Sequence, residues 1–436
     1  MYTQLGPKAD KEIEKYLKKI VKVIRAELPQ IKGVLLGGGF GRGEGGAYFK
    51  DDLLIPLNDF EIFLYTSSKI PSDILNQTAN KAVKTLPLKN IGTDFYHFDR
   101  ERFSNTFYID IKCLTDRTLP ALPPMIRYFE LKNASRLLWG KDPRGKIPNY
   151  KVKDIPKTEG LRLLLNRLTL INLYFSLDFL KRPITQNEKI GLLYLGSKTL
   201  YDIPTALLLL NNQFVPYYQK RAEIFAKCYQ KDFPILAKTC PELPQIVKKA
   251  TDFKLKPSFR TRVKPFKIWS QYKYYSGEAL KYYATKFFGK KISSPSEISD
   301  LILQKMSPLH YHPFLNFYAQ KKFRLPFFPK ILVPVFEHYF NFQVYLNLKK
   351  YAHIKYPKIL LSNRGFDLVL YATSLYLLYS VDKSGKINQK MFKKAIKIFQ
   401  KVYPFEPKKK SGAGLWNQVN DAFSNAYVNF SFLKII

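Results

Sequence analysis

The stretch Gly33-Val34-Leu35-Leu36-Gly37-Gly38-Gly39-Phe40-Gly41-Arg42-Gly43-Glu44-Gly45-Gly46 decides how this chain is read. Its first four residues are an apolar run of strand length, and they lead straight into a cluster of glycines. Glycine enters positive φ without steric cost and lets the backbone approach a ligand closely. Backbone N–H groups placed after a strand in this way are suited to cradle phosphate oxygens. Arg42 adds a charge-assisted contact to such a group. Downstream, Asn58-Asp59-Phe60-Glu61-Ile62 opens a second strand. Residues i and i+2 of a strand share a face, so Asp59 and Glu61 project together. Two carboxylates so close repel unless a cation or a proton lies between them. Tyr108-Ile109-Asp110-Ile111-Lys112 places a third carboxylate on a later strand. Mg²⁺ is a hard ion that prefers these oxygens. Three carboxylates can hold two Mg²⁺ ions about 3.5–4 Å apart, which stabilises the attacking and leaving oxygens of phosphoryl transfer.

Outward from this constellation, Ile13, Leu17, Ile20, Ile24 and Leu28 fall on one face and predict a helix over 8–28, ended by Pro29. Residues 71–86 read as a helix with Pro71 in its first turn. Strands are expected over 60–65, 95–98 and 107–114, and residues 48–57 are expected to form a loop near the site. The sum is a mixed sheet of about 120 residues. Past Asp116 the pattern turns helical. A proline hinge (Pro120, Pro123, Pro124) precedes an expected helix over 125–138, and long apolar runs at helical spacing cover 161–180 and 190–210. The fold class is α+β. An N-terminal mixed-sheet domain (1–120) is followed by a helical domain packing on the site (121–240), a proline- and lysine-rich linker or irregular arm (241–268) and a basic, aromatic-rich helical C-terminal domain (269–436).

With the glycine cluster, the Asp-x-Glu pair and the later aspartate in this order, the chain resembles the nucleotidyltransferase superfamily typified by DNA polymerase beta. Gly38, Gly39, Phe40, Gly41 and Arg42 are most similar to the motif form of the small-molecule and antibiotic nucleotidyltransferases. The resemblance covers residues 10–115. It implies Mg²⁺-dependent transfer of a nucleoside monophosphate from an NTP, ATP being favoured, to an acceptor hydroxyl with release of pyrophosphate. Asp59, Glu61 and Asp110 would be the catalytic and metal-binding residues, holding two Mg²⁺ ions. Gly38, Gly39, Phe40, Gly41 and Arg42 would bind the nucleotide. The helical segment with Ser197-Lys198 and Tyr201-Asp202 is similar to helical domains attached to antibiotic nucleotidyltransferases, where a lysine meets the triphosphate, and this points to Lys198. Two departures stand out: Gly39 replaces a frequent serine, and residues 48–57 lengthen the gap to Asp59.

The formal charge of +38 is uneven. Residues 1–150 carry 24 Lys and Arg against 17 Asp and Glu, and residues 151–436 carry 48 against 17. Such a surplus favours an anionic partner. The motif form and the helical second domain of the resemblance imply a small molecule or glycan precursor as acceptor, with an RNA 3′ end, which the basic residues 151–436 would suit, or a protein side chain as alternatives. A non-catalytic module binding nucleic acid or an acidic membrane surface is the alternative of another class. Three scattered cysteines, Cys113, Cys228 and Cys240, build neither a disulfide framework nor a zinc site. With no apolar signal core at the start and no transmembrane segment (the longest charge-free apolar run, 368–381, is short of the ~20 residues a span needs), a cytoplasmic setting is expected. Glu44 reads as a helix-start residue or a partner of Arg42, and His97 as a packing residue. His310 and His312 lack a neighbouring carboxylate cluster in sequence, so no metal site is expected there. Tyr272, Tyr274, Tyr275, Tyr282 and Tyr283, interleaved with Lys273, Lys281 and Lys286, read as an amphipathic helix face.

Overall fold

Gly33–Leu36 forms β1, and the strands around it determine where the carboxylates point. The computed structural model describes residues 1–57, 59–88, 107–260 and 264–432. β1 lies inside a four-stranded sheet of order β5-β4-β1-β6, in which β4 is Phe60–Thr66, β5 is Ile109–Thr115 and β6 is Arg136–Gly140. β1 is antiparallel to both β4 and β6, while β5 runs parallel to β4 with Glu61 directly opposite Asp110. Helices α1 (Pro7–Glu27) and α3 (Ser72–Lys84) cover one face of the sheet. There Ile13, Leu17 and Ile20 of α1 and Ala79 and Val83 of α3 pack with Val34, Leu36, Ile62, Leu64 and Ile111. The alternation of side chains along a strand sends Leu35, Phe63, Tyr65 and Leu114 to the opposite face, against Leu119, Leu122 and Leu131. Glu61 and Asp110 occupy the same face, at the entry ends of β4 and β5. One helical turn, α2 (Gly38–Gly41), follows β1.

Four segments differ from the reading of the sequence. Residues 48–57 are not a loop: β2 (Ala47–Lys50) and β3 (Leu53–Pro56) pair as a hairpin. Asp51 turns it at φ 54°, a conformation Asp tolerates in a two-residue connection. The helix expected over 125–138 stops at Ala134, and Arg136–Gly140 is strand β6. The open edge of β1 needs a partner for its buried amides and carbonyls, so the sheet reaches past residue 120. Residues 241–268 are not an irregular arm, since Leu243–Leu255 is a helix and Pro265 starts the long helix Pro265–Phe288. Pro244 and Pro265 stand in the first turn, where a missing N–H costs nothing. The strand expected over 95–98, with His97, lies outside the described residues.

The helices share a hydrophobic core running from Leu161 through Phe225, Val247, Trp269 and Tyr371 to Trp416 and Val428. The stretches 121–240 and 269–436 are therefore packed together rather than cored separately. The apolar run at 368–381 belongs to Phe366–Tyr379, a helix buried along its length except at Tyr379. Two of its interior polar groups are engaged by a neighbouring helix: Asn172 donates to Ser374, and Tyr371 donates to Asn166 at 2.7 Å. Tyr272, Tyr275 and Tyr283 are buried in the core, as an amphipathic face requires, and Lys273 is buried with them, over the Trp269 ring. Among the described residues no helix is long and apolar enough to cross a membrane.

Candidate active site

The parallel pairing of β4 with β5 makes the site. Glu61 and Asp110 sit side by side in register, and Asp59, two residues before Glu61, shares their face. Burial pushes the Asp59 carboxyl up to about 6, and the negative charges of Glu61 and Asp110 add to the effect, against Lys198 and Lys112. The Tyr108 hydroxyl donates to Asp59, and burial beside these carboxylates keeps that phenol protonated far above its usual range. Lys112 Nζ lies 2.5 Å from Asp110 Oδ2. Burial pulls Lys112 down, but Asp110 and Glu61 outweigh it and hold the ammonium above its ordinary value.

The glycine turn wraps Glu61. The Gly37 amide donates to the Glu61 carbonyl at 2.8 Å. Gly38 has φ +60°, and a Cβ there would stand 2.5 Å from Glu61 Oε1. Gly38→Ala is therefore expected to cost about 1 kcal/mol through its left-handed backbone. On the transferase chemistry that the resemblance implies, displacing Glu61 would also slow turnover by about 10²-fold. Urea unfolding and initial-rate measurements on the same variant separate the two effects. The Gly41 amide is spent on the Gly37 carbonyl at 3.0 Å, so of the four glycine-turn residues it has no amide to offer a ligand. The amides of Gly38, Gly39 and Phe40 begin the turn.

Arg42 is placed differently from expectation. Its side chain is 3% exposed, with Nη1 2.7 Å from Glu130 Oε2 and Nε 3.7 Å from Glu44 Oε2. Glu130 also binds Arg221, which is 1% exposed and donates to Thr205 and to the carbonyls of Val215 and Pro216. Glu44 accepts the amides of Tyr218 and Gln219 at 2.8 and 3.0 Å and so caps the helix Tyr218–Asp232. Arg42 thus ties the glycine turn to the helices through Glu130, and it also lines the smaller cavity beside Gly38 and Glu61. The anticipated Arg42–Glu44 partnership is present.

Two cavities meet at the carboxylates. The smaller, about 230 Å³, is lined by Gly37, Gly38 and Glu61 together with Arg127, Arg162 and Arg167. Arg162 pairs with Glu159 and Arg167 with Asp202, at 2.7 and 2.5 Å. Arg127 makes no ion pair among the described residues, and its buried Nε has no hydrogen-bond acceptor there. The larger cavity, about 650 Å³, opens at Asp59 and Lys198. Its walls are largely aromatic and aliphatic, with Tyr48 of the hairpin, Tyr108, Tyr174, Tyr194 and, from the helix Gly412–Phe432, Tyr427. Lys198 follows a π turn, Gly191–Leu195, a rare irregularity often found at sites. Burial and Arg167 lower the Lys198 ammonium, partly offset by Asp59.

Of the sequence-predicted residues, Asp59 and Lys198 line the larger cavity, Gly38, Arg42 and Glu61 line the smaller one, and Asp110 stands in register with Glu61, whereas Phe40 packs into the core under α1 and Gly39 lies beside Glu44 and Lys254. Sequence reasoning missed Tyr108, although its spacing of two from Asp110 puts both on one face. It missed Arg127, Arg162 and Arg167, for which there was no signal, since an arginine on a helix reads as a solvated residue. It also missed Lys254, buried behind the turn with Nζ donating to the Glu44 carbonyl at 2.9 Å and drawn down to about 7 by burial, Lys198 and Arg42. His310 lies far from these residues in sequence, its Nε2 3.0 Å from Asp367 Oδ2, a carboxylate that only folding brings near.

The fit to a divalent cation rests on the donor set. Three carboxylates share one face, and Asp59 is raised by burial first and by the neighbouring negative charges of Glu61 and Asp110 second. That is the environment a hard cation relieves. Among the described residues no three His, Cys, Asp or Glu side chains stand arranged to hold a metal ion. Lys112 and Tyr108 engage Asp110 and Asp59 instead. The chemistry of the donors fits Mg²⁺, and Lys112 would have to give up Asp110 to admit it. Comparison with protein-family models, with curated proteins and with solved structures returns no match.

Proposed function

We propose that the chain is a Mg²⁺-dependent nucleotidyltransferase that moves a nucleoside monophosphate from an NTP to the hydroxyl of a small acceptor and releases pyrophosphate. The observation that carries this reading is the in-register pair Glu61 and Asp110 with Asp59 on the same face, wrapped by the glycine turn. Asp59, Glu61 and Asp110 would hold Mg²⁺, which supplies charge neutralisation at the reacting phosphate. The polyphosphate fits the smaller cavity, where Arg127, Arg162 and Arg167 face Gly38. Guanidinium forks match phosphate oxygens well. Arg127, with no acidic partner among the described residues, is the strongest such donor. Tyr108 holds Asp59 in place, and Lys198 brings positive charge to the mouth of the larger cavity. Most of the catalytic effect on this reading is positioning and electrostatics.

The acceptor belongs in the larger cavity because Asp59 faces it. Its volume of about 650 Å³ is within the range of small-molecule sites. Its aromatic lining favours a compact hydroxylated molecule with an apolar body over an RNA 3′ end. The test is incubation with each labelled NTP and a lysate divided into RNA, protein and small molecules. Label is expected in the small-molecule fraction, with Mg²⁺-dependent pyrophosphate release and little dependence on salt. Labelled RNA, with acceptor binding that falls steeply as salt rises, would replace the acceptor assignment. Absence of pyrophosphate release in every fraction would remove the enzymatic reading.

A further inference from the structure

We infer that residues 320–350 form a docking surface for an anionic lipid bilayer, a property separate from nucleotide transfer. The helix Val333–Tyr351 buries one side, with Val333, Phe340, Val344 and Leu348 in the core. Its other side carries an outward apolar stripe. Ile331, Val335, Tyr339, Phe342 and Leu346 are 83, 63, 59, 44 and 40% exposed. Val335, Tyr339, Phe342 and Leu346 recur every three or four positions, so they lie on one helical face over roughly 17 Å at 1.5 Å per residue, and Ile331 stands in the 3-10 turn Lys330–Leu332 just before them. The loop that leads into this helix adds Phe323, Leu325 and Phe327, each more than half exposed. Single exposed apolar residues are ordinary, but a contiguous set marks an interaction surface.

Charge selects the occupant. Residues 301–360 contain nine Lys and Arg, all exposed, and one carboxylate, Glu337, which is buried. Lys321, Lys322, Arg324 and Lys330 stand at one end of the stripe and Lys349 and Lys350 at the other. Lys350 is 3.6 Å from Asp73, an exposed pair. The partner must be both apolar and acidic. A second copy of this face is disfavoured because an isologous contact would set these cations against each other. Nucleic acid meets the charge but gives nothing to Val335, Ile331 and Leu346. The headgroup region of an anionic bilayer meets both, with the stripe in the acyl boundary and the lysines among the headgroups. The described helices do not span a membrane, so the attachment is peripheral.

The test uses the full chain in flotation with vesicles of phosphatidylcholine alone and of phosphatidylcholine containing about 30% phosphatidylserine, a charge density like that of a cytoplasmic leaflet. Flotation is expected only with the anionic vesicles and is expected to weaken as salt rises. Val335→Ser with Tyr339→Ser and Phe342→Ser should reduce binding at least about tenfold. Lys321→Glu with Lys322→Glu should do the same. All five residues are exposed, so thermal melts of the variants should match the parent. No flotation with anionic vesicles overturns the proposal. So does flotation that the serine variant leaves unchanged, which would be charge attraction alone. A stripe-dependent dimer, or a stripe-dependent complex with a soluble acidic protein, in place of vesicle binding overturns it as well.

Discussion

Replacing Asp59 by Asn is expected to abolish transfer while making the metal-free protein more stable. The rate loss should be on the order of 10²–10³-fold or more, since a preorganised charge at the reacting phosphate is removed. The stability gain follows from the raised carboxyl, near 6 in the fold against an ordinary value of 3.8. A folded-state value above the unfolded one means that the native protein binds this proton more tightly. The contribution of Asp59 to stability is then complete below about pH 4 and is lost as pH rises through about 6. At pH 7 the ionised Asp59 opposes folding by roughly 2 kcal/mol, allowing for its residual contact with water. Asparagine escapes that cost. Denaturant melts in chelator should show the variant more stable than the parent at pH 7 and equal to it near pH 4. Adding Mg²⁺ should stabilise the parent and leave the variant unmoved. A parent that is more stable than the variant at pH 7 without metal would show that Asp59 is not strained by its neighbours. An Asp59→Asn variant that turns over normally would end the catalytic assignment.

Glu130→Ala is expected to be the most damaging single substitution outside Asp59, Glu61 and Asp110. Glu130 is the shared partner of Arg42 and Arg221, both almost wholly excluded from water. Removing it leaves two buried guanidinium charges. Breaking a buried pair in this way typically costs about 3–5 kcal/mol. Arg221 keeps its bonds to Thr205, Val215 and Pro216, and Arg42 keeps Glu44 at 3.7 Å, so the loss should fall near 3 kcal/mol. Adding Arg42→Met to Glu130→Ala should recover part of it, because one of the stranded charges is gone. The check is chemical denaturation of the three proteins. If Glu130→Ala melts with the parent, the glycine turn is not held to the helices through this network.

Local spacing reached far into this protein. The helix over α1, strand β1 running into the glycine turn, and the placing of Asp59 and Glu61 on one face all follow from periodicities of two and 3.6 residues, which short-range backbone geometry imposes wherever the chain goes. The departures came where a partner distant in sequence overrode local preference. Arg136–Gly140 became strand because β1 had an edge to fill, and Lys254 went inside because its helix packs behind the turn. Arg42 reads locally as a phosphate ligand; only folding puts it 2.7 Å from Glu130.

The sequence alone determined that a glycine turn, two alternating carboxylates and a later aspartate exist on the chain in that order, since each is a property of a few consecutive residues. Tertiary structure alone decided that β5 lies beside β4 in the register that sets Asp110 against Glu61. It also decided that arginines from distant helices line the smaller cavity and that the helix Gly412–Phe432 walls the larger one. Strand pairing and helix docking are set by burial of surface contributed by residues tens to hundreds of positions apart, which no local pattern encodes.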